Sequence, residues 1–214
     1  MVSASYAIRH PREAAAYLIL GQRKFKERSG PGGEHTCYKA SGGTLPFFSY
    51  MTANTDIHEH LVTLYLLTVE LDLKRILELG TRDGDSTIAL LHGAKAVGGH
   101  VTSVDLKESA KAKEAVLGLG FAAFWSFIES DDTVLPWDTP IDHLFIDTSH
   151  TFEHTVKELK KFEPLVRVGG VITLHDSVTY PDLRRAVLEY TKGRRDLRIY
   201  EFLNNNGLLV VFKR

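Results

Sequence analysis

From Arg75 onward, short apolar and β-branched runs alternate with longer stretches whose apolar positions recur at helical spacing. The runs at 75–79, 100–105, 122–128, 143–147, 171–175, 198–203 and 208–212 predict seven strands. Between them, 86–95, 108–117, 151–162 and 181–190 predict helices; in the third, Val156, Leu159 and Phe162 share one face. Regular alternation of this kind implies an α/β fold, a mostly parallel sheet with helices on both faces, because parallel neighbours need a crossover. Only Asn204-Asn205-Asn206-Gly207 separates the last two strands. Asn and Gly tolerate positive φ, so these strands should form an antiparallel hairpin that reverses the last strand.

The residues before the sheet have a different character. Residues 11–28 and 56–71 read as helices, the second packing on the sheet. Between them, 29–43 hold five glycines in fifteen residues, too flexible for core and too long for a plain connection. We expect an N-terminal helix and lid over 1–55 and a catalytic domain over 56–214. No internal repeat is visible.

Composition narrows the class. With 214 residues, 43% of them hydrophobic, the chain can bury a large core. Its one cysteine, Cys37, rules out an intramolecular disulfide and suits a reducing compartment. The first residues show no charged n-region with a cleavage site, and no apolar run approaches the ~20 residues of a membrane span. We expect a cytoplasmic protein without a membrane partner. Lys and Arg total 26 against 27 Asp and Glu, so no global field favours nucleic acid. The late basic residues Arg184, Arg185, Lys192, Arg194, Arg195 and Arg198 read as a solvated face.

The strongest local signal is Ile76-Leu77-Glu78-Leu79-Gly80-Thr81-Arg82-Asp83-Gly84-Asp85-Ser86-Thr87, an apolar strand passing through a glycine turn into a helix. Gly80 lets the backbone turn, and Gly84 lets it approach a ligand at the helix start. The spacing G-x-x-x-G differs from the G-x-G-x-x-G of a nucleotide-cofactor oxidoreductase. Asp105 ends the next strand, where a carboxylate can accept both hydroxyls of a ribose; a helix cap is the competing role. Glu78, inside an apolar strand, needs a polar partner, either a cationic ligand or the backbone of the turn.

The segment E-L-G-T-R-D-G-D-S-T, with the later V-D-L, resembles motif I and the acidic second-strand end of class I S-adenosylmethionine-dependent methyltransferases. A seven-stranded Rossmann-like sheet with an antiparallel last strand is that family's layout. The resemblance implies S-adenosylmethionine as cofactor. Glu78 and Gly80 would border its methionine part, within a turn that includes Thr81, Gly84 and Ser86. Asp105, beside Leu106, would hold the ribose, and the corner with Ser130 and Asp131 would flank the adenine.

Two polar clusters end the fourth and fifth predicted strands: Asp147-Thr148-Ser149-His150 and His175-Asp176-Ser177. Ligands of open α/β sheets bind at such ends. If the strands are neighbours, Asp147 and Asp176 converge, and a hard divalent cation such as magnesium, manganese or calcium relieves their repulsion. Asp147, His175 and Asp176 are the candidate ligands. Asp176 could instead be a helix cap, and His150 a structural residue at the helix start.

The pair also resembles metal-dependent O-methyltransferases acting on sugars, phenolic compounds and antibiotics, whose I-D-x-x-H and G-G-x-x-x-x-x-D patterns are matched by Asp147, His150, Gly169, Gly170 and Asp176. Catechol-type relatives carry a lysine where His150 stands, and Asp-Asn where this chain has Asp176-Ser177. The resemblance implies metal-assisted methyl transfer to a hydroxyl, with His150 and Asp147 catalytic and His150 as the base.

The competing functions are a nicotinamide-dependent oxidoreductase, disfavoured by the glycine spacing and the terminal hairpin, and a cofactor-binding protein without catalysis, disfavoured by the presence of Asp147, His150 and Asp176. A metal-dependent hydrolase leaves Asp105 unexplained. His58-Glu59-His60 falls on a helix with its imidazoles on different faces, so no second metal is expected there. Tyr50, Met51 and Asn54 are candidate substrate or cofactor contacts, and Trp125 and Trp137 receive no role. A small hydroxylated acceptor is the expected partner, and a lid that completes a neighbour's site would make a homodimer.

Overall fold

The computed structural model describes residues 55–214. The helix expected at 11–28, the glycine-rich lid, Tyr50, Met51 and Asn54 lie outside the described residues.

Seven strands form one sheet: β1 (Arg75–Leu79), β2 (His100–Asp105), β3 (Trp125–Glu129), β4 (Ile141–Ile146), β5 (Val166–His175), β6 (Leu197–Phe202) and β7 (Leu208–Lys213). Their spatial order is β3-β2-β1-β4-β5-β7-β6. The first five are parallel; β7 runs antiparallel between β5 and β6. Among the described residues, five α-helices accompany them: α1 (Leu61–Glu70), α2 (Asp85–Val97), α3 (Ala110–Gly118), α4 (Phe152–Phe162) and α5 (Pro181–Thr191). Among the described residues no helix is long and apolar enough to cross a membrane.

Strand side chains alternate between faces, and the core divides accordingly. Ile76, Phe145, Val171, Leu208, Val210 and Phe212 pack with α1 and α2 on one face. Leu77, Leu144, Ile146, Ile172, Leu174, Leu209 and Val211 pack with α4 and α5 on the other. Because both faces are covered, the central strands read as continuous apolar runs. Burial at about 25 cal/mol per Å² of apolar surface holds the two layers to the sheet.

Several expected bounds move. Residues 122–124 form a 3-10 turn rather than the start of β3. The turn follows Phe121, which is buried edge-on against His92 on α2, and the chain extends only after that anchor is placed. The helix expected from Asp56 begins at Leu61, preceded by a 3-10 turn over His58–His60. Strand β5 starts five residues early, with an irregular register between Ile141 and His143. There Asp142 accepts from the backbone N–H groups of Lys74 and Arg75 and from the side chains of Arg75 and Arg167. This carboxylate ties three strands together at their starts, the end of the sheet opposite the candidate site.

Candidate active site

The glycine turn is built for contact between strands. Gly80 has φ +88°, and a Cβ there would lie 2.0 Å from the backbone oxygen of Asp147. Only glycine lets the exit of β1 lie against the exit of β4. Gly84, at φ +90°, caps α2, and a Cβ there would lie 2.9 Å from the Ala112 Cβ. The side of Gly84 where a side chain would stand is therefore taken up by α3.

Glu78 is fully buried, and its partners correct the sequence expectation. Rather than the turn backbone, three hydroxyls meet it: it accepts from Ser86 Oγ at 2.7 Å, Thr87 Oγ1 at 2.8 Å and Ser103 Oγ at 2.5 Å. Burial pushes its carboxyl up to about 7, an effect these three bonds offset only in part. Trp125 Nε1 donates to Ser103 Oγ at 2.9 Å, which gives this tryptophan a bracing role. Ser86, expected at the cofactor, spends its hydroxyl proton on Glu78.

Asp105 closes the other side of the turn. Its Oδ2 accepts from the backbone N–H of Thr81 at 2.8 Å and Arg82 at 3.1 Å, and Oδ1 accepts from Leu106 N–H at 2.7 Å. A carboxylate offers about four acceptor sites, so one remains on Oδ1. The Thr81 hydroxyl is buried without a hydrogen-bond partner, and Leu106 beside Asp105 is 73% exposed, an apolar surface next to the acid.

At the next corner, Ser130 Oγ donates to the Asp131 carbonyl, and Asp131 Oδ1 accepts from Thr133 N–H and Oγ1 at 2.8 and 2.6 Å. Those bonds hold the Asp131 carboxyl below its usual range. Asp131 thus shapes a turn, while Asp132 beside it points inward and is buried.

The ends of β4 and β5 bring the predicted chemical residues together. His150 Nε2 lies 3.3 Å from Asp147 Oδ1 and 3.2 Å from Asp176 Oδ2, with its ring stacked on Tyr180 at 4.2 Å. Thr151, not His150, caps α4 by accepting from His154 N–H, which leaves the His150 ring to the site. The capping role weighed for Asp176 is also absent: α5 starts after Tyr180 without a side-chain cap. Asp176 adopts φ +67°, a left-handed backbone that Asp tolerates better than most residues, fixed by its N–H donating to the Gly207 carbonyl at 2.9 Å.

His175 completes the group. Its Nε2–H faces the Asn205 carbonyl at 3.2 Å, and Nδ1 lies 3.5 Å from Asp147 Oδ2 and 3.5 Å from Asp176 Oδ1. Nδ1 and Asp176 Oδ1 are buried without hydrogen-bond partners. Donation from Nε2 leaves the Nδ1 lone pair directed at the two carboxylates, the tautomer a metal ligand needs. One ligand atom from each of Asp147, His175 and Asp176 lies within 4.8 Å of the others. A divalent cation fits this donor set and would satisfy both orphaned atoms.

The electrostatics agree. Burial would raise the Asp147 carboxyl, but the neighbouring His150 and His175 imidazoles outweigh it and bring it down to about 2. Burial and the Asp147 charge push Asp176 up. For His175, burial works downward, but the facing carboxylates prevail and raise it. Beside these groups, a cavity of about 480 Å³ is lined by His150, Thr151, Tyr180, Pro181 and Asp182.

One supporting contact escaped the sequence reading. His60, 1% exposed, meets the carbonyls of Asn204 and Asn205 through Nε2 at 2.9 and 3.1 Å and packs edge-on against the His175 ring. Asn205 Oδ1 accepts from Glu59 N–H at 2.9 Å, and Asn204 Nδ2 donates to Glu59. The His58-Glu59-His60 segment thus clamps the hairpin turn that orients His175. The signals were two polar motifs about 145 residues apart, which nothing local could pair.

Comparison with known proteins supplies the context. Residues 77–177 match a family described as "Methyltransferase domain". The structure is similar to that of the methyltransferase PaMTH1 of Podospora anserina bound to SAH, with a TM-score of 0.64 and 14% identity over 94% of this chain and 96% of that one. It is also similar to the O-methyltransferase TomG of Streptomyces achromogenes, involved in tomaymycin synthesis and bound to SAM, with a TM-score of 0.57 and 22% identity over 72% of this chain and 79% of that one. No curated protein matches. The order of the seven strands and the reversed β7 are those of the class I methyltransferase fold, and the family match runs from within β1 to just past the end of β5.

Proposed function

We propose that the protein transfers a methyl group to a hydroxyl oxygen of a small molecule, a sugar, phenol or natural-product acceptor, with assistance from a divalent cation such as magnesium. The observation that carries this reading is the convergence of Asp147, His150, His175 and Asp176 at the exits of β4 and β5, with two buried donor atoms left unpartnered. The likeness to an O-methyltransferase of natural-product synthesis supports it.

When bound, S-adenosylmethionine supplies an electrophilic methyl carbon, and the cation held by Asp147, His175 and Asp176 supplies charge that favours an ionised hydroxyl. The residues of the chain do the rest. Gly80 sets the cofactor turn against Asp147, so the cofactor and the acceptor site share one wall. His150 accepts the hydroxyl proton at Nε2, where the resulting imidazolium lies between the carboxylates of Asp147 and Asp176. Tyr180 holds the imidazole plane by stacking and forms a wall of the acceptor cavity.

Calorimetric titration with S-adenosylmethionine, followed by methylation assays on hydroxylated sugars and phenols with magnesium or with a chelator, tests the reading. Cofactor binding without metal, turnover only with metal, and loss of turnover in Asp176→Asn with cofactor binding retained are the expected results. Undiminished turnover in Asp176→Asn or in the presence of chelator would overturn the metal assignment.

A further inference from the structure

A second polar cluster lies behind the catalytic loop and takes no part in the proposed methyl transfer. Asp132, on the corner after β3, faces His154 and Glu158 on α4, and one ligand atom from each lies within 4.8 Å of the others. His154 Nε2 is 3.1 Å from Asp132 Oδ1 and 3.6 Å from Glu158 Oε1. The helical spacing of four residues puts His154 and Glu158 on one face of α4.

The cluster has a deficit that protein groups leave unfilled. The Glu158 side chain is wholly buried; Oε1 accepts from Thr148 Oγ1 at 2.5 Å, and Oε2 has no hydrogen-bond partner. Asp132 Oδ1 is likewise buried without one, while its Oδ2 pairs with His154 Nε2 at 3.3 Å. Lys161 Nζ donates to the backbone carbonyl of Asp132 rather than to either carboxylate. Two carboxylates thus face each other across an imidazole away from water, an arrangement that requires either a shared proton or a cation.

We propose that Asp132, His154 and Glu158 bind a second divalent transition-metal ion of the zinc class. One imidazole nitrogen and two carboxylate oxygens balance a double charge and match zinc's preferred donors. His154, 25% exposed, leaves an entry path and room for water in the remaining position. Through Thr148, which donates to Glu158 and follows Asp147 directly, the ion would join the β3 corner to the catalytic loop and hold both in place.

Cobalt(II) titration of the full chain after chelator treatment, followed by visible absorption and thermal melting, is the test. In protein carrying Asp147→Asn and Asp176→Asn, which disables the first site, one cobalt per chain should still bind and raise the melting temperature by about 5 °C or more. Adding His154→Ala and Glu158→Gln should abolish that binding while circular dichroism and S-adenosylmethionine affinity are retained. A folded Asp147→Asn/Asp176→Asn protein that binds no cobalt would overturn the proposal and leave a shared proton between Asp132 and Glu158. Should that variant fail to fold, the comparison moves to the wild-type chain against His154→Ala/Glu158→Gln. A fall from two ions to one supports the second site, and equal stoichiometry refutes it. S-adenosylmethionine binding and methyl transfer are read separately, so this proposal can fail without the functional reading failing.

Discussion

The two polar regions at the top of the sheet are built on opposite principles. Around the glycine turn, the acids are satisfied by the protein: Glu78 by three hydroxyls, Asp105 by three backbone N–H groups. At the exits of β4 and β5, His175 Nδ1 and Asp176 Oδ1 are buried and unpaired, and Asp176 adopts a left-handed backbone. The first region is a rigid cradle whose shape is set before a ligand arrives. The second holds unsatisfied polarity. Unsatisfied buried groups cost about 1–3 kcal/mol each, a cost that the cation proposed there would relieve.

Disabling the open region should produce the largest effect on function. Asp176→Asn keeps a side chain suited to the left-handed backbone yet removes the charge, and should lower kcat/KM by about 10³-fold, equivalent to about 4 kcal/mol, with little change in cofactor affinity. Steady-state kinetics and calorimetry separate the two quantities. The satisfied region should respond in stability instead. Glu78→Ala strands the hydroxyls of Ser86, Thr87 and Ser103 and should cost about 3 kcal/mol in urea denaturation.

A subtler version uses pH. The Glu78 carboxyl is raised to about 7 in the folded protein, so between the unfolded value near 4.5 and about 7 the folded state binds more protons, and stability falls as pH rises through that window. Buried His143 works in the opposite sense: burial lowers it to about 3, so its neutral folded form loses stability as pH falls below 6.5. The wild-type profile mixes both slopes. The difference between wild type and Glu78→Gln, measured from pH 4.5 to 7.5, should isolate the Glu78 component as a slope of opposite sign to that of His143. A difference that is flat across the range would show that Glu78 does not titrate there.

The smallest effect concerns the clamp on the hairpin turn behind His175. Asn205→Gly accepts the positive φ but removes the ties to Glu59 and Thr55. It should loosen the carbonyl that orients His175 and reduce turnover about 10-fold, with about 1 kcal/mol of stability lost. An unchanged rate would show that the backbone of the hairpin turn orients His175 without its side chain.

Much of this protein could be read from the chain itself. The strand and helix periodicities located the seven strands and the four α-helices after Arg75, though not the short 3-10 turns, because burial on both faces of a parallel sheet produces apolar runs and helical stripes that are local properties of sequence. Asp147, His150, His175 and Asp176 stood out for the same kind of reason: charged groups ending apolar strands need a purpose. The partners of those groups were not legible. Glu78 offered no sign that three hydroxyls would converge on it, since Ser103 comes from another strand and Ser86 and Thr87 from the next helix. Nor could sequence show that Gly84 makes room for α3, that His60 supports His175, or that Asp132 faces His154 and Glu158. Periodicity and turn chemistry depend on neighbours along the chain, and so the sequence by itself determined the elements, their order and the residues able to do chemistry. Which polar atoms are satisfied and which are left open depends on groups brought together across the sheet, and that was decided only by the tertiary structure.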